Sequence, residues 1–299
     1  MSRAGVRVRR ATALLAGLVL VLGGCSTPEA TPSPSPTEAP EPTPVVTRFE
    51  LGTTVWYAGL VITVQDAVAT IDEKGGPVVV ALHLEDPGAV PLSLDAPIRL
   101  TFGAHAYDVT HDTQLPEVPA GGAADAIATF QLAPGEPLRD AVLRFGRPAD
   151  HQAAVPLGPG DVEAVTLEPR PVAVKGSGHA GELKLTLRDA LLRWDLPDWG
   201  EELPKGVAAL TITYDAAFTG TFAGGLALTA DSIGLRLPDG RVIAPRRDGR
   251  SQTILALLPN APATGVISRF EVPAGMTGTF ALLLRDAGTE AAITFKITG

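Results

Sequence analysis

Past residue 46, apolar and polar residues alternate in short runs. Gly59-Leu60-Val61-Ile62-Thr63-Val64-Gln65-Asp66-Ala67 puts Leu60, Ile62 and Val64 on one side, and Glu182-Leu183-Lys184-Leu185-Thr186-Leu187-Arg188-Asp189-Ala190 does the same with Leu183, Leu185 and Leu187. A period of two marks a half-buried strand. Further segments match in the same order. Leu82 and Leu84 align with Leu210 and Ile212, and Ile98-Arg99-Leu100-Thr101-Phe102 aligns with Ile233-Gly234-Leu235-Arg236-Leu237. Phe130-Gln131-Leu132-Ala133-Pro134-Gly135 aligns with Phe270-Glu271-Val272-Pro273-Ala274-Gly275, with Ala-Pro-Gly replaced by Pro-Ala-Gly. The separation of matched segments grows along the chain, 123, 128, 135 and then 140 residues. Order is kept and length changes fall between strands, as expected for a duplicated β unit that tolerates loop insertions.

The N-terminal region follows another pattern. Arg3, Arg7, Arg9 and Arg10 precede an apolar run from Ala11 to Gly24. About 14 residues are too few to cross a ~30 Å hydrocarbon core as a helix, but they suit the apolar region of a secretory signal. The run ends in Leu22-Gly23-Gly24-Cys25, which resembles a bacterial lipoprotein signal. Residues 1–24 are therefore expected to be removed, leaving Cys25 as a lipidated N-terminus on the outer face of the cell membrane. A plain secretory signal with a chance cysteine is the rival reading. Residues 26–46 hold seven prolines among Ser, Thr and Glu. That composition buries no core. As extended polyproline II it reaches about 65 Å, and residues 25–46 are expected to form a disordered tether.

Composition supports many short strands: 32 Gly and 27 Pro disfavour long helices. Each repeat carries about seven strand signals, and Pro238-Asp239-Gly240 is a hairpin turn signal. The expected fold is all-β: two tandem immunoglobulin-like β-sandwich domains over residues 47–169 and 170–299. The single Cys rules out an intrachain disulfide, so interleaved aliphatic faces must supply each core. The net charge of −9 argues against nucleic acid as a partner. It is unevenly spread: residues 47–169 carry six basic and 17 acidic side chains, whereas residues 170–299 carry 14 and 13. Nineteen Arg against five Lys suggests a high-GC bacterial source such as an actinobacterium.

The signal, the proline tether, the opening strand ending in Asp-Ala and the Phe-x-hydrophobic element with its glycine resemble a family of uncharacterised immunoglobulin-like domains. These occur in surface lipoproteins of Gram-positive bacteria and are similar in fold to a small secreted mycobacterial immunoprotein. The resemblance covers residues 47–299. It implies a sandwich fold and an extracytoplasmic location, and it carries neither a reaction nor catalytic residues.

Candidate chemistry is sparse. Arg193-Trp194-Asp195-Leu196-Pro197-Asp198-Trp199-Gly200-Glu201-Glu202 gathers two of the three Trp and four acids. Trp194, Asp195, Asp198, Trp199, Glu201 and Glu202 are the candidate ligand or partner residues, since aromatics beside carboxylates stack on sugars or hold cations. The alternative is that the Trp side chains plug one end of the sandwich. Gly176-Ser177-Gly178-His179-Ala180-Gly181 fits G-x-G-x-x-G, but a strand pattern follows where a phosphate site needs a helix. A flexible entry to the second repeat is expected there. His105, Asp108, His111 and Asp112 are close in sequence, but on a regular strand they spread along its length and over both faces. No metal site is expected. Arg246, Arg247 and Arg250 around Asp248-Gly249 read as a solvated turn. No Gly-x-Ser-x-Gly elbow is present. The chain is expected to be a non-enzymatic, lipid-anchored binding or spacer protein without cofactor, its partner an envelope protein or glycan. A cation- or glycan-binding accessory lipoprotein is the alternative.

Overall fold

The computed structural model describes residues 43–159, 162–199, 201–247 and 254–299, with only the backbone of Trp199 and Glu201. The signal, Cys25, the tether up to residue 42, Gly200, Asp248, Gly249 and Arg250 lie outside the described residues.

Eight strands form the first half: β1 (Val45–Tyr57), β2 (Leu60–Ile71), β3 (Gly76–Glu85), β4 (Ile98–Phe102), β5 (His105–Asp108), β6 (Ala123–Leu132), β7 (Val142–Phe145) and β8 (Ala153–Pro156). They make two antiparallel sheets, in the orders β1-β2-β3-β6 and β5-β4-β7-β8. The chain changes sheet between β3 and β4, between β5 and β6, and between β6 and β7. Such crossings let two sheets of a sandwich share one core. β1 begins at Val45, so the last two residues of the expected tether belong to a strand.

The second half contains β9 (Arg170–Val172), β10 (Ser177–Ala180), β11 (Leu183–Arg193), β12 (Asp195–Leu196), β13 (Glu201–Glu202), β14 (Val207–Phe218), β15 (Leu226–Thr229), β16 (Ile233–Arg236), β17 (Val242–Ile243), β18 (Ile254–Leu257), β19 (Ala263–Pro273), β20 (Gly278–Asp286) and β21 (Thr289–Ile297). Its main sheets run β10-β11-β14-β19, with β9 also on β11, and β17-β16-β20-β21. Set beside the first half, β11, β14, β16, β17, β19, β20 and β21 occupy the places of β2 to β8, and β9 with β10 takes the place of β1. β12-β13 and β15-β18 are additional two-stranded pieces.

Register corrects one of the sequence alignments. Val64 pairs with Leu82 and Asp66 with Ala81, which leaves Gln65 as a bulge; Leu187 pairs with Tyr214 and Asp189 with Thr213, which leaves Arg188 as the matching bulge. Leu82 therefore corresponds to Tyr214 and Leu84 to Ala216, not to Leu210 and Ile212. The two registers differ by four residues. An even slip keeps the same face of a strand, so alternation alone could not detect it. Each bulge also reverses the phase of its strand. Leu60, Ile62 and Val64 are buried before it and Ala67 and Ala69 after it; Leu183, Leu185 and Leu187 precede the other, and Ala190 and Leu192 follow.

Each half has its own hydrophobic cluster. One runs from Val55 to Leu157 and the other from Val172 to Ile297, with no residue in common. Phe130, opposite Val78, and Phe270, opposite Leu210, are both fully buried at matched positions. Full burial of each large side chain stabilises its core by about 1.5–3 kcal/mol. Both halves fall within one compact unit by their contacts.

The glycine-rich segment 176–181 is not a flexible entry. It contains β10, paired with β11 from Ser177↔Thr186 to Ala180↔Leu183. Gly178 has a packing role: a Cβ there would lie 2.9 Å from Ile293 Cγ1 on β21.

Candidate functional site

The Trp- and acid-rich segment is the main difference between the halves, and it lies at their junction. β2 and β3 are joined by the tight turn Asp72–Gly75, closed by Asp72 N–H donating to Gly75 O at 3.1 Å and Gly75 N–H to Asp72 O at 3.2 Å. The equivalent strands β11 and β14 are joined by residues 194–206, nine more than that four-residue turn. The extra length forms β12, a short 3-10 turn (Pro197–Trp199) and β13, with Asp195 opposite Glu202 and Leu196 opposite Glu201. Leu196 and Leu203 bury against Ala209 in a small core of their own.

This hairpin grips the first half at two turns. At the β1–β2 turn, Gly59 N–H donates to Asp195 Oδ2 at 2.7 Å in a buried bond. The other carboxylate oxygen accepts from Arg193 Nε at 2.8 Å. Gly59 has φ +84°, and a Cβ there would overlap the Pro197 ring, so only glycine permits the approach. At the β7–β8 turn, His151 N–H donates to Leu203 O at 3.2 Å and Lys205 N–H to Ala149 O at 3.1 Å. His151 Nε2–H donates to Val207 O at 2.8 Å.

Beside these bonds lies a mismatched pair. Tyr57 is 1% exposed, and its hydroxyl and Glu202 Oε2 are both buried without a well-formed hydrogen bond. They are nevertheless close enough to influence each other. Burial pushes the Tyr57 phenol far above its ordinary range, and the Glu202 carboxylate beside it adds to the rise. Burial likewise raises the Glu202 carboxyl, with Asp150 and Asp195 adding repulsion while Tyr57 and Arg147 oppose it. The pair is uncharged on the tyrosine side and strained toward protonation on the carboxyl side.

Two clefts flank the hairpin. The larger, 560 Å³, is lined by Asp95, Asp150, Asp198 and Glu202 with Arg147 among them. The smaller, 370 Å³, has Trp56, Asp86, Leu191, Arg193 and Arg269 in its wall. Both reach Leu92, Pro197 and Asp198. Their walls come from both halves.

The six residues singled out in the sequence therefore divide by role. Trp194 is half-buried against the second core. Asp195 is buried and ties the halves together. Asp198 and Glu202 line clefts, with Asp198 3.8 Å from Arg269. The side chains of Trp199 and Glu201 lie outside the described residues. His105, Asp108, His111 and Asp112 do not converge: His105 and the Tyr107 hydroxyl both meet Glu136, at 2.9 and 2.6 Å, Asp108 accepts from Arg99 at 2.7 Å, and His111 lies beside Asp112. Among the described residues, no His, Cys, Asp or Glu group is arranged to hold a metal. Arg246 pairs with Glu271, and its N–H donates to Arg269 O. Tyr57, Gly59, Asp86, Arg147 and Asp150 were not singled out in the sequence. They lie more than 40 residues before the hairpin, and no local pattern signals a contact over that distance.

The chain matches no protein-family model and no curated protein. Fold and junction define it as an all-β sandwich protein whose two cores are joined by a hairpin inserted in the second.

Proposed function

We propose that this chain is a lipid-anchored, non-enzymatic binding or spacer protein held on the outer face of the cell membrane. The observation that carries this reading is the order of the N-terminus: an arginine head, a short apolar run, then Leu22-Gly23-Gly24-Cys25 and a proline-rich stretch. Two or more acyl chains on Cys25 give stable anchoring, whereas one is marginal. The non-catalytic part draws support from the hairpin. Its buried acid Asp195 has both carboxylate oxygens engaged by Gly59 and Arg193, a structural use of the charge.

Cys25→Ser is expected to move the protein from the membrane fraction to the soluble envelope fraction. Retention in the membrane would overturn the anchoring.

A second reading, a cation-binding accessory lipoprotein, is favoured by the larger cleft, where four carboxylates face one arginine.

A further inference from the structure

Among the described residues, the first half leaves one long sheet edge open, that of β1. β6 is capped on its free side: Thr110 N–H donates to Thr129 O at 2.7 Å, and Gln114 and Ile127 exchange backbone bonds at 2.8 and 2.9 Å. In β8, Ala154 exchanges bonds with Val165 at 3.0 and 2.8 Å, and β5 has only four residues. β1 is the outermost strand of its sheet and 13 residues long. Its C-terminal end is held, with Trp56 N–H donating to Thr166 Oγ1 at 2.8 Å and Leu167 N–H to Trp56 O at 3.0 Å. Among the described residues, Val45–Thr54 make backbone bonds to β2 alone. Every second residue of such a strand turns its N–H and C=O away from the sheet, a ready template for another strand. Apolar cover is incomplete as well. Val45 and Val46 are 67% and 64% exposed, and Phe49 and Leu51 pack on the first core but are only partly buried. In the second half this place is taken by two short pieces, β9 and β10, of three and four residues, and short edges discourage pairing.

The chain's own tether is a poor occupant: Pro40, Pro42 and Pro44 stand just before β1, and proline lacks the N–H that a ladder needs. A second copy of β1 fits. Residues 47–169 carry 17 acidic and six basic side chains, yet Val45–Thr54 hold one Arg and one Glu, so the strand meets its own copy without the repulsion of like charges. Antiparallel pairing about a two-fold axis at Thr47 uses the regular stretch before the bulge between Glu50 and Thr53. It sets Thr47 opposite Thr47 of the second copy, Val45 opposite Phe49 and Val46 opposite Arg48, and facing residues share one side of the sheet. Phe49 gains cover beside the core. Val46 lies on the stem of Arg48, whose Nη2 is bonded to Asp66 at 2.8 Å.

We infer that two copies of this chain associate through β1, joining their two four-stranded sheets into one. The inference goes beyond the proposed binding or spacer role by naming a partner. It does not depend on lipidation, since every residue involved lies in the first sandwich. A five-residue strand pair falls short of the ~1,000 Å² of a stable interface, so association is expected only at high-micromolar to millimolar concentration. Anchoring of both copies in one membrane would raise their effective concentration.

Sedimentation of the full chain in detergent, from micromolar to millimolar concentration, tests it and is expected to show a monomer passing into a dimer. Thr47→Cys, oxidised under the same conditions, is expected to yield disulfide-linked dimers, because directly opposed residues have Cβ atoms about 4.5–5.5 Å apart. The parent chain and Lys205→Cys, a variant at an exposed position of the junction, are the controls and are not expected to do so. Val46→Lys sets a lysine opposite Arg48 twice over and is expected to weaken the dimer about fivefold or more. Val46→Glu sets an acid there instead and is expected to stay within about threefold of the parent. Position 46 is exposed, so neither variant is expected to change the melting temperature. A monomer at millimolar concentration, cross-linking of Thr47→Cys no greater than that of the controls, or equal weakening by Val46→Lys and Val46→Glu overturns the inference. A dimer untouched by Val46→Lys overturns it in favour of another surface. None of these outcomes bears on the membrane release expected of Cys25→Ser, so the two proposals fail separately.

Discussion

Two loops at the same topological position do different work. Between β2 and β3 the chain turns back in four residues, and the turn satisfies only its own backbone. Between β11 and β14 it takes thirteen, and those residues supply a small core, a buried carboxylate and backbone bonds to the other half. A closed turn keeps its effects local. An inserted hairpin with unsatisfied groups of its own must find partners, and here it finds them on the neighbouring sandwich. The insertion also explains the acidic junction, because Asp195, Asp198 and Glu202 arrive with it.

Core truncations at the matched phenylalanines should have the largest effect on this comparison. Phe130→Ala and Phe270→Ala are each expected to cost about 3–5 kcal/mol, read by chemical denaturation. Similar losses fit two cores built alike. A large loss in one and none in the other breaks the correspondence of β6 with β19.

Removing the tie between halves comes next. Asp195→Ala leaves the Gly59 N–H and the Arg193 guanidinium without their acceptor in a buried setting. Breaking a buried pair from one side costs about 3 kcal/mol. The more telling readout is cooperativity. If the hairpin couples the halves, unfolding that is one transition in the parent should separate into two in the variant, since coincidence of transitions is the mark of a single unit. A single transition at unchanged midpoint would show that the hairpin is not the coupler.

Strand content and strand order were legible because alternation is a local property. Leu60-Ile62-Val64 and Leu183-Leu185-Leu187 announce their faces without reference to any partner. Register was less so: a slip of four at Leu82 and Leu84 preserves every face and shows only when the bulges at Gln65 and Arg188 are superposed. The bulges also hid the phase change that buries Ala67 and Ala190. The junction was half legible. Residue types in the hairpin marked it as unusual, but what it meets depends on pairs such as Gly59 with Asp195, 136 positions apart. Asp86 gave no signal at all, because a carboxylate beside Pro87 and Gly88 reads as an ordinary turn until its burial is known.

The smallest expected effect is also the one that sharpens how the hairpin is held. Glu202 has its carboxyl raised above the ordinary 4.5, chiefly by burial. A carboxyl with a higher pKa in the folded protein than in the open chain binds its proton more tightly when folded. Its contribution to stability is therefore most favourable below pH 4.5. It is lost as pH rises from there through the folded value, and the penalty is constant above it. Glu202→Gln removes the charge but keeps a polar head beside Tyr57. It is expected to raise the melting temperature at pH 7 and above by no more than about 2–4 °C, to have little effect in acid, and to flatten the pH profile in between. The opposite sign, a variant less stable at neutral pH, would mean that the ionised carboxylate is held by Arg147 more strongly than burial opposes it. The junction would then be an ion-paired one rather than one that tolerates a misfit acid.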